Sequence, residues 1–168
     1  MKNEFFLILL AAIFILGCTA QTAQNGDLVS VLYNASYENG TVFDNNDGKP
    51  LNFTIGNGEV IKGFNYAVIG MKVNNEKKVT IEPSDGYGLY DSSKIKATTV
   101  KSLEDAGVTP ANGTVVYATM NKNLERGVII NTNGTYAWVD FNQPLAGKTL
   151  VFDIQLLNIN SRAGNALK

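Results

Sequence analysis

The chain has 168 residues, 45% of them hydrophobic, with a formal net charge of −1, a single Cys and no His. That length suits one domain carrying a small insert, and sparse, balanced charge leaves no basic surface to track phosphates, which argues against nucleic-acid binding. Without His and with one thiol there is no His-based triad, no disulfide framework and no Cys/His metal site, because these need an imidazole, a thiol pair or about four such ligands.

Residues 5–16 are an unbroken apolar run preceded by Lys2 and Glu4. The run is shorter than the ~18–20 residues that span a bilayer, so a secretory core segment is expected. It ends at Ile15-Leu16-Gly17-Cys18 and a polar stretch to Gly26, similar to a prokaryotic lipobox with Leu16 where small residues are usual. The expectation is a signal segment over 1–18 with Cys18 as the lipidation site, and a linker over 19–26. The alternative is an uncleaved anchor with an incidental Cys. Either way the remainder is expected outside the cytoplasm, attached to the membrane; since one acyl chain binds only marginally, stable attachment takes a second. Sequons begin at Asn34, Asn39, Asn52, Asn112 and Asn133, and in so Asn-rich a chain they assign no source.

From Asp27 the pattern turns to strand. Residues 28–33 are β-branched and apolar, followed by the turn signal Glu38-Asn39-Gly40. The spacing of Phe64, Ala67, Val68 and Met71 predicts one short helix over 64–71. Alternation predicts a half-buried strand over 77–82 and a closing strand over 149–158, with Leu150, Phe152, Ile154 and Leu156 on one face. Between them, 95–136 reads as a β-rich module with a helical piece at 102–106 and strands at 115–120 and 127–131. The class is α+β, a mostly antiparallel sheet with one short helix packed on it.

Tyr33, Phe43-Asp44, Lys49-Pro50-Leu51 and Gly58-Glu59-Val60-Ile61-Lys62-Gly63-Phe64 follow one another in the order and spacing of a known family. With Glu82-Pro83, Gly86-Tyr87-Gly88 and Leu150-Val151-Phe152-Asp153-Ile154, the chain resembles the FK506-binding-protein (FKBP) family of peptidyl-prolyl isomerases over nearly all of 27–160. The long stretch between Tyr87-Gly88 and the closing strand, ending in residues 140–148, is similar to the SlyD subgroup, which carries an insert-in-flap domain that binds unfolded segments. The resemblance implies an isomerase domain over 27–94 and 137–160, an insert over 95–136 and a tail over 161–168.

The resemblance also implies a site. Tyr33, Phe43, Val60, Ile61, Phe64, Tyr87 and Phe152 would line a proline pocket, with Phe64 as its floor where many relatives have Trp, and Leu51 as a secondary wall. Asp44 would orient the substrate amide; the Tyr87 hydroxyl and the Ile61 backbone N–H would donate to substrate carbonyls. Taken singly, these aromatic and aliphatic residues are also ordinary core, and Asp44 to Gly48 reads equally as an acidic loop or a weak calcium site. Gln143 stands where subgroup relatives often have His, and their His/Cys-rich metal tail is missing, so no metal and no cofactor are expected.

The resulting expectation is a peptidyl-prolyl isomerase acting on proline-containing unfolded or partly folded polypeptides, with the insert holding them. The alternatives are a catalytically weak holdase of the same fold and a secreted solute-binding or adhesion module. Isomerisation requires no acid, base or metal, because only the partial double bond of the amide must be loosened.

Overall fold

A computed structural model describes residues 21–120 and 122–160. The expected signal segment with Cys18 and the tail over 161–168 lie outside the described residues. The chain order begins with β1 (Leu28–Tyr37), β2 (Val42–Asn45), β3 (Leu51–Thr54), α1 (Lys62–Val68) and β4 (Glu76–Ile81). It continues with β5 (Ile95–Thr99), α2 (Val100–Asp105), β6 (Val115–Met120), β7 (Asn123–Thr132), β8 (Tyr136–Asp140) and β9 (Leu150–Asn160).

The main sheet is antiparallel with order β2-β1-β9-β4, and β3 shares the β2 edge of β1. β1 and β9 form its centre. The alternation of Leu150, Phe152, Ile154 and Leu156 buries all four side chains on one face, as the pattern predicts. It then changes parity, because a bulge opposite Ser30 and Val31 inserts one residue into β9 and turns Ile159 inward. β2 and β3 are too short and too exposed to show a period. They are continuous along one edge because the Asn46 side chain fills the gap: it accepts from Tyr33 N at 3.0 Å and donates to Val31 O at 3.0 Å.

α1 lies against this sheet through Phe64, Ala67 and Val68. It starts two residues before the expected 64 and stops three before 71, because Gly70 adopts φ +82°, a left-handed conformation suited to a helix end. Met71 is still buried, from the loop beyond the helix. Gly63 lets the helix approach β4 closely: a Cβ there would lie 2.5 Å from Ile81 Cγ2.

The second sheet has order β5-β8-β7-β6 and is antiparallel throughout. It has its own core of Val116, Ile129, Ala137 and Val139, flanked by Val100, Leu103, Val108 and Phe141. α2 starts at a Thr99 cap whose Oγ1 accepts from Ser102 N at 3.1 Å. β8 carries this sheet through Asp140, four residues beyond 136. The two segments joining the sheets are cross-pinned. Tyr90 Oη donates to Asp140 Oδ2 at 2.8 Å, and Asn142 pairs with the Asp91 backbone, accepting from its N at 3.0 Å and donating to its O at 2.9 Å. The fold class is α+β.

Candidate active site

All nine pocket residues expected from the sequence line one cavity of about 440 Å³. Tyr33 comes from β1, Phe43 and Asp44 from β2, Leu51 from β3, Val60 and Ile61 from the loop before α1, Phe64 from α1, Tyr87 from a turn, and Phe152 from β9. Gly58 and Glu59 complete the lining. Both belong to the motif that carried the resemblance, and their contiguity with Val60 was the signal that they line the site.

Phe64 is the floor. It is 3% exposed, and its ring meets Tyr33 at 5.8 Å, Phe152 at 5.3 Å and Phe53 at 5.8 Å between centroids, all edge-on. Edge-to-face contacts suit the ring quadrupole and fix ring orientation. The floor is therefore rigid and apolar, held by the first turn of α1 against β1 and β9. Phe43 packs on Tyr37 at 4.8 Å, which fixes the β2 wall.

One polar pair sits in this apolar setting. Tyr33 Oη donates to Asp44 Oδ2 at 2.8 Å. Burial pushes the Tyr33 phenol up to about 12, and the hydrogen bond to the Asp44 carboxylate with its negative charge adds to the rise. The phenol is thus a proton donor at every physiological pH, and one carboxylate oxygen of Asp44 is fixed in direction.

Tyr87 is presented by a tight turn. Pro83–Asp85 forms a single 3-10 turn, Gly86 N and Gly88 N both donate to Pro83 O, at 3.1 and 2.7 Å, and Gly88 takes φ +86°. Lys62 Nζ reaches Asp85 Oδ1 at 2.8 Å and ties this turn to the start of α1. Ile61 is the N-cap of α1, with extended backbone and no side-chain cap, so its N–H lies at the junction of loop and helix that borders the cavity.

Two other hollows differ in chemistry. The face of the main sheet opposite the core carries one of about 630 Å³, lined by polar groups including Asn34, Asn45, Asp47, Lys78, Asp153 and Gln155. It holds no cluster of aromatic rings like that of the Phe64 cavity. Gln143 does not line the aromatic cavity: it borders a separate hollow at the junction with Tyr90, Arg126 and Asp140, and its Oε1 accepts from Leu145 N at 2.9 Å. That side chain is occupied in holding its own turn. Among the described residues no group of three or more Asp, Glu, Cys or His is placed to hold a metal.

A cavity with this geometry suits rotation about an X–Pro bond. The barrier of ~18–20 kcal/mol comes from amide resonance, which water stabilises by solvating the polarised carbonyl. An apolar seat for the proline ring favours the twisted, less polarised amide, and groups already oriented need not reorganise during the turn.

Comparison with known proteins agrees. A family model described as FKBP-type peptidyl-prolyl cis-trans isomerase matches residues 19–157. The chain is 38% identical over 122 residues to the short-type peptidyl-prolyl cis-trans isomerase of Methanocaldococcus jannaschii, covering 73% of this chain and 75% of that protein. It is 29% identical over 143 residues to the FKBP-type 16 kDa peptidyl-prolyl cis-trans isomerase of Escherichia coli, covering 84% and 96%. It is also 39% identical over 100 residues to FK506-binding protein 2 of Yarrowia lipolytica, covering 54% and 69%. A match along most of the length, over residues whose side chains converge on one apolar-floored cavity, establishes that the chain belongs to the FKBP-type peptidyl-prolyl cis-trans isomerase family.

Proposed function

We propose that this isomerase is a SlyD-like folding catalyst attached to the outer side of a cytoplasmic membrane. It turns X–Pro bonds of extended polypeptides in the aromatic cavity while the second sheet, acting as the insert, holds neighbouring segments. The observation that carries the catalytic half is the convergence of Tyr33, Asp44, Ile61, Tyr87 and Phe152 on a floor made by Phe64. Support for the holding half comes from β6, which ends the second sheet. Its exposed Tyr117 and the exposed Leu124 of β7 offer apolar contact beside an edge open to strand addition. The apolar run over 5–16 and Cys18 support the placement outside the cytoplasm.

The test pairs two assays on the full chain carrying Tyr117→Ser and Leu124→Ser. Refolding of an unfolded protein limited by proline isomerisation falls about tenfold, the size expected for losing apolar anchors, and turnover of a proline tetrapeptide is unchanged. Equal refolding by the variant and the parent would remove the holding role. Tetrapeptide turnover at the uncatalysed rate in the parent, with aggregation still suppressed, would instead favour the weak-holdase reading.

A further inference from the structure

We infer that the face built by residues 66–73 rests in the headgroup layer of the membrane, so that the cavity is held off the bilayer at the far end of α1. The inference rests on reading residues 1–18 as a membrane attachment.

The chain is clamped to the body almost as soon as it leaves that segment. Thr22 forms an antiparallel bridge with Lys72, Ala23 N donates to Met71 O at 2.8 Å, and Gly70 N donates to Ala23 O at 2.8 Å. Ala23 is fully buried. From Cys18 to Thr22 there are four peptide units, which span at most about 14 Å. If the attachment is the uncleaved apolar run ending at residue 16, the reach is about 21 Å. Beyond a headgroup layer of ~5–8 Å per leaflet, these reaches leave the clamp at most about 6–16 Å from the surface. The body is therefore kept near the membrane, and residues 69–73, being the clamp, are the part of it held nearest.

That face has the composition an interface selects. Tyr66 of α1, with Ile69 and Val73 of the segment that follows it, are 57%, 39% and 41% exposed. Ile69 and Val73 flank the clamp on either side. Lys72 is exposed between them, and Lys77 lies beside the helix, its Nζ donating to Ala67 O at 2.9 Å. Aromatic and aliphatic groups seat at the acyl boundary while lysine meets anionic headgroups.

The orientation has a functional consequence. α1 is preceded by its N-cap Ile61, which borders the cavity, and followed by its C-cap Ile69, which borders the clamp. Its seven residues span about 10 Å at 1.5 Å per residue. Seating the C-terminal end of α1 on lipid leaves the cavity end of the helix directed to the space where extended polypeptides arrive.

The experiment uses the full chain, purified from membranes and reconstituted in vesicles of phosphatidylcholine and phosphatidylglycerol carrying bromine on the acyl chains. Trp138 is the single Trp and lies on β8 of the second sheet, so the parent reports that sheet. A Val73→Trp variant in a Trp138→Phe background reports the face. About twofold quenching at 73 and none at Trp138 is expected, because bromine quenching reaches only groups seated at the acyl boundary. If the chain sediments with the vesicles but position 73 is no more quenched than Trp138, the face assignment is overturned while the attachment stands. If the chain does not sediment with the vesicles, the attachment reading fails and the inference with it.

Discussion

The Tyr33 hydroxyl donates to Asp44 Oδ2 across 2.8 Å, joining β1 to β2 inside the aromatic cavity. β2 reaches this position because Asp44 stands opposite Ala35 in the ladder, and because Asn46 then replaces the missing backbone pairing at Tyr33. The pair is the only charge-assisted contact between lining residues named among the hydrogen bonds of the described chain, and it fixes one face of the site.

Because the two groups act together, their loss should not be additive. A hydrogen bond to a charged partner contributes about 1.5–3 kcal/mol. Asp44→Ala should lower kcat/KM on a proline tetrapeptide about tenfold and Tyr33→Phe somewhat less, with the double variant no worse than Asp44→Ala. Additive losses in this cycle would mean that the two side chains act independently.

The same pair governs behaviour at high pH. The Tyr33 phenol is raised from 10.0 to about 12, by burial first and then by Asp44. Between those values the folded protein keeps a proton that the unfolded chain has released. The contribution to stability is therefore complete below pH 10 and is lost as pH rises towards 12. Urea midpoints measured across that window should fall less steeply for Tyr33→Phe than for the parent, and parallel profiles would contradict the shift.

Phe64 joins site and core, so its truncation should damage both. Removing a buried aromatic ring costs about 3–5 kcal/mol, and Phe64→Ala should show a loss of that order by urea denaturation. Phe64→Leu keeps an apolar floor but lacks the edge-on contacts with Tyr33 and Phe152. It should fold, with a smaller stability loss and a clear fall in tetrapeptide turnover.

Two glycines separate the sheets experimentally. A Cβ at Gly63 would meet Ile81 Cγ2 at 2.5 Å, and one at Gly127 would meet Val139 Cγ1 at 2.5 Å and Phe141 Cε1 at 2.7 Å. Overpacking of this kind costs about 1–3 kcal/mol. Gly63→Ala should lower both tetrapeptide turnover and the urea midpoint. Gly127→Ala should loosen the second sheet, seen as faster amide exchange in β6 to β8, and leave tetrapeptide turnover near the parent value.

The parts of this molecule that were legible in its sequence are those set by short-range pattern. The alternation of β9 and the apolar stripe of α1 follow directly from burial on one face. The order Tyr33, Phe43-Asp44, residues 58–64, Tyr87 and Phe152 was legible because each residue is tied to a local motif. β2, β3, β5 and β8 were not: each is only four or five residues long, and their pairing is decided by strands elsewhere in the chain. The end of α1 at Val68 was hidden because Met71 continues the buried stripe after Gly70 has broken the helix. The pinning of Tyr90 to Asp140 and of Asp91 to Asn142 joins residues 50 and 51 positions apart, a separation at which no local period operates. The surroundings of Gln143 are set by that junction too, and no local pattern shows them.

The central claim is that the cavity floored by Phe64 is where X–Pro bonds turn. The most direct measurement is tetrapeptide isomerisation by Asp44→Ala, Tyr87→Phe and Phe152→Ala beside the parent, with folding of each checked by its urea midpoint. The account predicts a fall in kcat/KM for all three, about tenfold or more for Asp44→Ala and Phe152→Ala, as expected when oriented groups or apolar walls are removed from a site. Parent-like rates in all three folded variants would contradict it.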